Sequence, residues 1–169
     1  MQLTHWASLP PIADIPLPEK LTSLGLGTLP HNPDLSFLHQ VPPVQKLNLE
    51  GSGSPLHLAD LSAPSGLRWL RLSGFDLSEG FPVLSASVRV QELNFYRCAF
   101  PADIDALNGI DSLRSVFFGE CHGPDPGPPL DLSPLAGRTA PTQLTVEVGS
   151  TQAVTGTEHL GPGIRVRYR

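Results

Sequence analysis

Apolar positions recur along this chain at a fixed interval of 23 residues, in segments that begin at Leu21, Val44, Leu67, Val90 and Leu113. These segments read LTSLGLG, VQKLNLEG, LRWLRLSG, VQELNFYR and LRSVFFGE. The first, fourth and sixth positions are apolar in every one: Leu21/Leu24/Leu26, Val44/Leu47/Leu49, Leu67/Leu70/Leu72, Val90/Leu93/Phe95 and Leu113/Val116/Phe118. With 40% apolar residues overall, fifteen successive matches arise by chance on the order of once in a million frames. Apolar positions 4 and 6 around a variable position 5 alternate with the period of a strand, so positions 4 and 6 face a core while 2, 3, 5 and 7 face outward.

A second apolar set occupies positions 15, 18 and 21: Leu35/Leu38/Val41, Leu58/Leu61/Pro64, Phe81/Leu84/Ser87 and Ile104/Leu107/Ile110. A three-residue step suits 3₁₀ or extended turns better than an α-helix, and Pro64 and Ser87 fit that choice. A sixth unit follows after 28 residues, from Pro141, with Leu144 and Val146 as its core and a continuation to Val148. Its lead-in from Asp131 matches the one from Asp34 in spacing, which confines five extra residues to Gly119–Leu130 and predicts a protruding loop there. Ile164, Val166 and Tyr168 alternate as a last strand, and counting back from Leu21 puts Leu3 at position 6 of an earlier unit. The expected organisation is one domain over 1–169. Residues 1–20 form a partial first repeat, 21–148 about five and a half repeats, and 149–169 a closing segment.

The segment VQELNFYRCAF, Val90 to Phe100, carries the pattern L-x-x-L-x-L-x-x-N/C-x-L, with Cys98 at the Asn/Cys position. The chain thereby resembles the leucine-rich-repeat proteins. That resemblance implies an α/β repeat solenoid, a horseshoe with a parallel sheet on its concave side and turns with short 3₁₀ or α segments on its convex side. No repeat can bury its own apolar face, so neighbours must stack. The phrases DLSPLAG and DLSFL, with scarce lysine and abundant Pro and Gly, are further similar to the C-terminal repeats of actinobacterial NACHT-type signalling ATPases. Such proteins require a P-loop, and G-x-x-x-x-G-K-S/T is missing from this sequence, so the likeness implies a sensor segment, covalently linked to an NTPase domain in a longer chain, or a stand-alone relative.

Composition sharpens this picture. Nineteen prolines and sixteen glycines in 169 residues favour many turns and few long helices. A net charge of −5 argues against a general affinity for nucleic acid or anionic membrane, both of which need clustered cations. The first 20 residues lack a basic start followed by an apolar run, and no apolar stretch is long enough to span a bilayer, which makes the cytoplasm the expected location.

Candidate chemistry is sparse. Cys98 and Cys121 fall at position 9 of adjacent repeats, where stacking brings them close. Two buried thiols suit that setting better than a disulfide in a reducing compartment. Six histidines without C-x-x-C or H-x-x-x-H spacing predict no metal site. The glycines of GSGS (51–54) and GLG (25–27) sit at strand ends before Pro55 and Pro30, so they read as turns and not as a phosphate loop. Neither a nucleophile elbow nor paired carboxylates point to an enzyme, and no cofactor is expected.

The outward strand positions are the informative ones. They hold Arg68, Trp69 and Arg71 in the third repeat, Glu92, Asn94 and Tyr96 in the fourth, and Arg114 and Phe117 in the fifth. Aromatics and arginines gathered on one exposed sheet face are the composition of protein-binding hot spots. Thr22, Ser23, Gly25 and Gly27 of the first repeat offer little of this kind. The expectation is a non-catalytic module that binds a protein partner on this face. A structural scaffold without a ligand, its aromatics merely packing along the ladder, is the alternative.

Overall fold

A computed structural model of the chain describes residues 2–3, 20–29, 35, 38, 41–56, 66–78, 89–100, 104–122, 129–140 and 142–169. Ten strands are assigned among these: β1 (Gln2–Leu3), β2 (Ser23–Leu26), β3 (Lys46–Pro55), β4 (Trp69–Asp76), β5 (Glu92–Tyr96), β6 (Ser115–Gly119), β7 (Leu130–Asp131), β8 (Leu144–Val148), β9 (Val154–Thr155) and β10 (Ile164–Tyr168). Eight of them form one sheet in the order β1-β2-β3-β4-β5-β6-β8-β10, and every pairing is parallel. Strand follows strand in chain order, so the chain winds as a parallel-sheet solenoid with few helices. Among the described residues, no helix is long and apolar enough to cross a membrane.

The 23-residue period is the register of this sheet. Leu24, Leu47, Leu70, Leu93 and Val116 are successive partners at position 4, and Leu26, Leu49, Leu72, Phe95 and Phe118 at position 6. All ten are essentially inaccessible to solvent. Leu3 pairs with Leu26, as the count back from Leu21 predicts, and β10 is the last strand of the sheet. Within the stack the rings of Phe95 and Phe118 lie parallel, 5.7 Å between centroids, and Phe100 meets both edge-on at 4.9 and 5.4 Å. Identical side chains one ladder step apart fill the core because parallel strands lie ~4.8 Å apart, close to van der Waals spacing for a ring or an isobutyl group.

Opposite the sheet, the three-residue step produces short 3₁₀ geometry. The N–H of Leu38 bonds the carbonyl of Leu35, and that of Val41 bonds Leu38. Leu107 and Ile110 repeat this on Ile104 and Leu107 around the 3₁₀ helix Asp105–Gly109, and Leu135 and Arg138 repeat it on Leu132 and Leu135 around Ser133–Gly137. The corresponding triplets at Leu58 and Phe81 lie outside the described residues.

The sixth unit departs from its expected register. Val116 pairs with Val146 and Phe118 with Val148, so Val146 and Val148 take positions 4 and 6 in place of Leu144 and Val146. The step is therefore 30 residues, not 28. Five extra residues precede the 3₁₀ helix Ser133–Gly137, as expected, and two more lie between it and β8. Leu144, Val146 and Val148 are all buried, and a shift of two residues keeps every side chain on the same face of a strand. Apolar alternation is blind to such a slip. Of the expected loop, residues 123–128 lie outside the described residues, and its end, Leu130–Asp131, forms a two-stranded parallel pair with β9.

At position 21 of this irregular unit stands Arg138, where Val41 and Ile110 stand elsewhere. Its guanidinium donates to the carbonyls of Leu107, Ile110 and Leu113 in the preceding turn, the last at 2.9 Å. An arginine thus replaces an apolar side chain by satisfying backbone acceptors that the extra length would otherwise leave open.

Candidate functional site

The outer face of the sheet is built by the same alternation that builds the core. Arg68, Arg71, Glu92 and Arg114 are exposed, and Trp69, Asn94, Tyr96 and Phe117 are half-buried. The register sets Lys46, Trp69, Glu92 and Ser115 in one row and Asn48, Arg71, Asn94 and Phe117 in the next. Glu50, Ser73, Tyr96 and Gly119 make a third. All eight residues expected at the face are on it.

Two groups form within it. In the first, Tyr96 and Phe117 converge on Gly119. A Cβ built on Gly119 would stand 2.8 Å from Phe117 Cε1 and 3.0 Å from Tyr96 Cδ2, so only glycine leaves room for both rings to lie down. Arg71 and Arg97 flank the Tyr96 ring at 5.8 and 4.9 Å from its centroid, within cation–π range. The Tyr96 hydroxyl donates to Glu120 at 2.6 Å, and Arg97 Nε donates to the other oxygen of that carboxylate at 2.8 Å. These bonds hold Glu120 below the usual carboxylate range, the Tyr96 hydroxyl contributing most and Arg97 next. The same carboxylate pushes Tyr96 above the ordinary phenol value. Arg97 and Glu120 both take left-handed backbone at position 8, with φ of 53°, as do Thr28 and Gly74 of other turns. That shared turn ends each strand and points the pair together.

The second group lies around Trp69. Ser23, Leu24 and Gly25 floor a trough of about 520 Å³ whose walls are Lys46, Asn48, Trp69 and Arg71. A smaller hollow of about 230 Å³, lined by Gln45, Lys46, Arg68, Trp69, Gln91 and Glu92, lies on the other side of the indole. Trp69 is thus a ridge between two hollows. The small side chains of the first repeat, which alone suggest no contact, are what open the larger one. Lys46, Asn48 and Gly25 belong to the site, and reading each strand separately misses them because the hollow exists only between strands. Asn48 Oδ1 is covered and has no hydrogen-bond partner. An unpaired acceptor of this kind costs about 1–3 kcal/mol, and here it sits on the outer face and not in the core.

Charge is distributed unevenly. Seven of the eleven lysines and arginines, Lys46, Arg68, Arg71, Arg114, Arg165, Arg167 and Arg169, lie along this face or at its margin, against three carboxylates, Glu50, Glu92 and Glu147. Glu147 is bonded to Arg169 at 2.8 Å. A chain of net charge −5 therefore carries a basic sheet face.

The cysteines lie elsewhere. Both are buried and unbonded. The Cys98 thiol donates to the Leu72 carbonyl at 3.5 Å, and the Cys121 thiol to that of Phe95 at 3.4 Å. Burial pushes Cys98 up to about 11 and, with the neighbouring Cys98 sulfur adding to it, Cys121 up to about 12. Beside Cys121, the buried Gln152 side chain accepts from the Cys121 N–H and donates to its carbonyl, standing in for a neighbouring strand. Neither thiol has the lowered pKa of a nucleophile. Among the described residues, no three His, Cys, Asp or Glu side chains are grouped to hold a metal ion.

Compared with known proteins, the chain matches no family profile, no curated protein and no solved structure.

Proposed function

We propose that this chain is a non-catalytic recognition module of the leucine-rich-repeat type that binds a protein partner on the outer, concave face of its sheet. The observation that carries the reading is the ridge of Trp69 between two hollows, with Arg71 beside it and Tyr96 held next to Arg71. Aromatic and arginine anchors set on a hydrogen-bonded sheet lose little freedom on binding, which is what turns contact area into affinity. The likeness of DLSPLAG and DLSFL to NACHT-type repeats supports a place as the sensor part of such a signalling protein in the cytoplasm. An NTPase encoded in the same reading frame is the observation that would establish it.

The scaffold alternative draws support from Tyr96 and Phe117, which lie folded over Gly119 and cover the sheet themselves. One variant separates the two. Under the binding reading, Trp69→Ala leaves the melting temperature nearly unchanged, because a half-buried side chain forfeits little apolar burial, and partner capture is lost. Substantial unfolding with unchanged capture removes the face as a binding site.

A further inference from the structure

We propose that the trough beside Trp69 takes an acidic segment of a polypeptide, with a carboxylate held between Lys46 and Arg71 and a neighbouring apolar side chain laid on the indole. The inference rests on the recognition reading above and gives that partner its chemistry.

Lys46 is at position 3 of its strand and Arg71 at position 5 of the next. Strand spacing and rise put their attachment points roughly 8 Å apart, so both side chains reach one carboxylate placed over the trough. Gly25 beneath leaves the space that such a group needs. No ion pair joins Lys46 or Arg71 to another described residue, whereas Arg97 and Arg169 are paired with Glu120 and Glu147. The remaining unpaired cations of the face surround this point and raise the local concentration of an anionic partner.

The same charges do not favour a nucleic acid. A phosphodiester backbone carries a charge at every nucleotide and would run past Glu50 and Glu92, which border the two hollows. A peptide places its carboxylates at chosen points and brings N–H donors that Glu92 can accept. Tyr96 and Phe117 lie over Gly119 and do not stand out as a stacking platform for successive bases.

The test uses the whole chain and three probes in fluorescence polarisation: a labelled peptide of glutamates around a central Phe–Leu pair, its lysine counterpart, and a labelled oligothymidylate. The glutamate peptide should bind, more weakly as salt rises, and the lysine peptide should not. Lys46→Glu, Arg71→Glu and Trp69→Ala should each weaken binding by about tenfold or more. Arg165→Glu makes the same change of charge on β10, away from the trough, and should weaken it by much less. Circular dichroism and a thermal melt establish that each variant is folded, and Lys46→Gln and Arg71→Gln serve where a reversed charge unfolds the chain. Absence of glutamate-peptide binding, equal losses in Arg165→Glu and Lys46→Glu, or preference for the oligothymidylate overturns the proposal. If the acidic probe fails while capture of a protein partner still depends on Trp69, the acidic segment is wrong and the recognition reading stands. If neither depends on Trp69, both fall.

Discussion

At the scale of single residues, the ladders make sharp demands. Leu70 has buried partners on both sides, Leu47 and Leu93, so Leu70→Ala opens a cavity that its neighbours can close only by moving whole strands. A loss of about 2–5 kcal/mol in urea unfolding is expected. The thiols give a second measure. Cys98 and Cys121 should resist a thiol reagent in the native protein and both react in denaturant without reductant. Their raised pKa values also set a sign. Above the ordinary thiol value of 9.0 the unfolded chain sheds these protons while the folded chain keeps them up to about 11 and about 12. Stability is therefore retained below pH ~9 and declines as pH climbs through that window. Gln152→Leu should leave the Cys121 N–H and carbonyl without their amide partner, at a cost of about 1–3 kcal/mol, and make Cys121 the faster-reacting thiol.

At the scale of elements, strands were legible and their junctions were not. Fifteen apolar positions at a constant interval name the core of β2 to β6, because position parity along a strand is a direct image of which side is buried. The same parity conceals a slip of two residues, which is why β8 is displaced from its expected register. Arg138 was hidden for a related reason. A cation at an apolar position looks like an exception until the carbonyls of Leu107, Ile110 and Leu113 are in view. Arg138→Leu keeps the bulk and removes the donors, so it should destabilise the sixth turn by about 1–3 kcal/mol. Amide exchange should quicken first between residues 105 and 148. Protection there equal to the wild type would mean that water replaces the guanidinium without cost.

At the scale of the whole molecule, net charge misled where geometry informs. A total of −5 averages over surfaces that the solenoid keeps apart, and the winding collects cations from five separate strands and their margins onto one face. The eight outward residues named from the alternation are all on that face, since strand parity alone puts them there. The trough could not be foreseen, because its volume comes from side chains that β2 lacks. The pairing pattern also has a mechanical consequence. Each strand of the main sheet is bonded only to the strands of the turns before and after it, so tension along the chain can release one turn without disturbing the rest. Each regular turn of 23 residues should then yield roughly 80 Å of new contour, and the 30-residue step between β6 and β8 roughly 100 Å. A single molecule stretched in an optical trap should lengthen as a ruler with one long division.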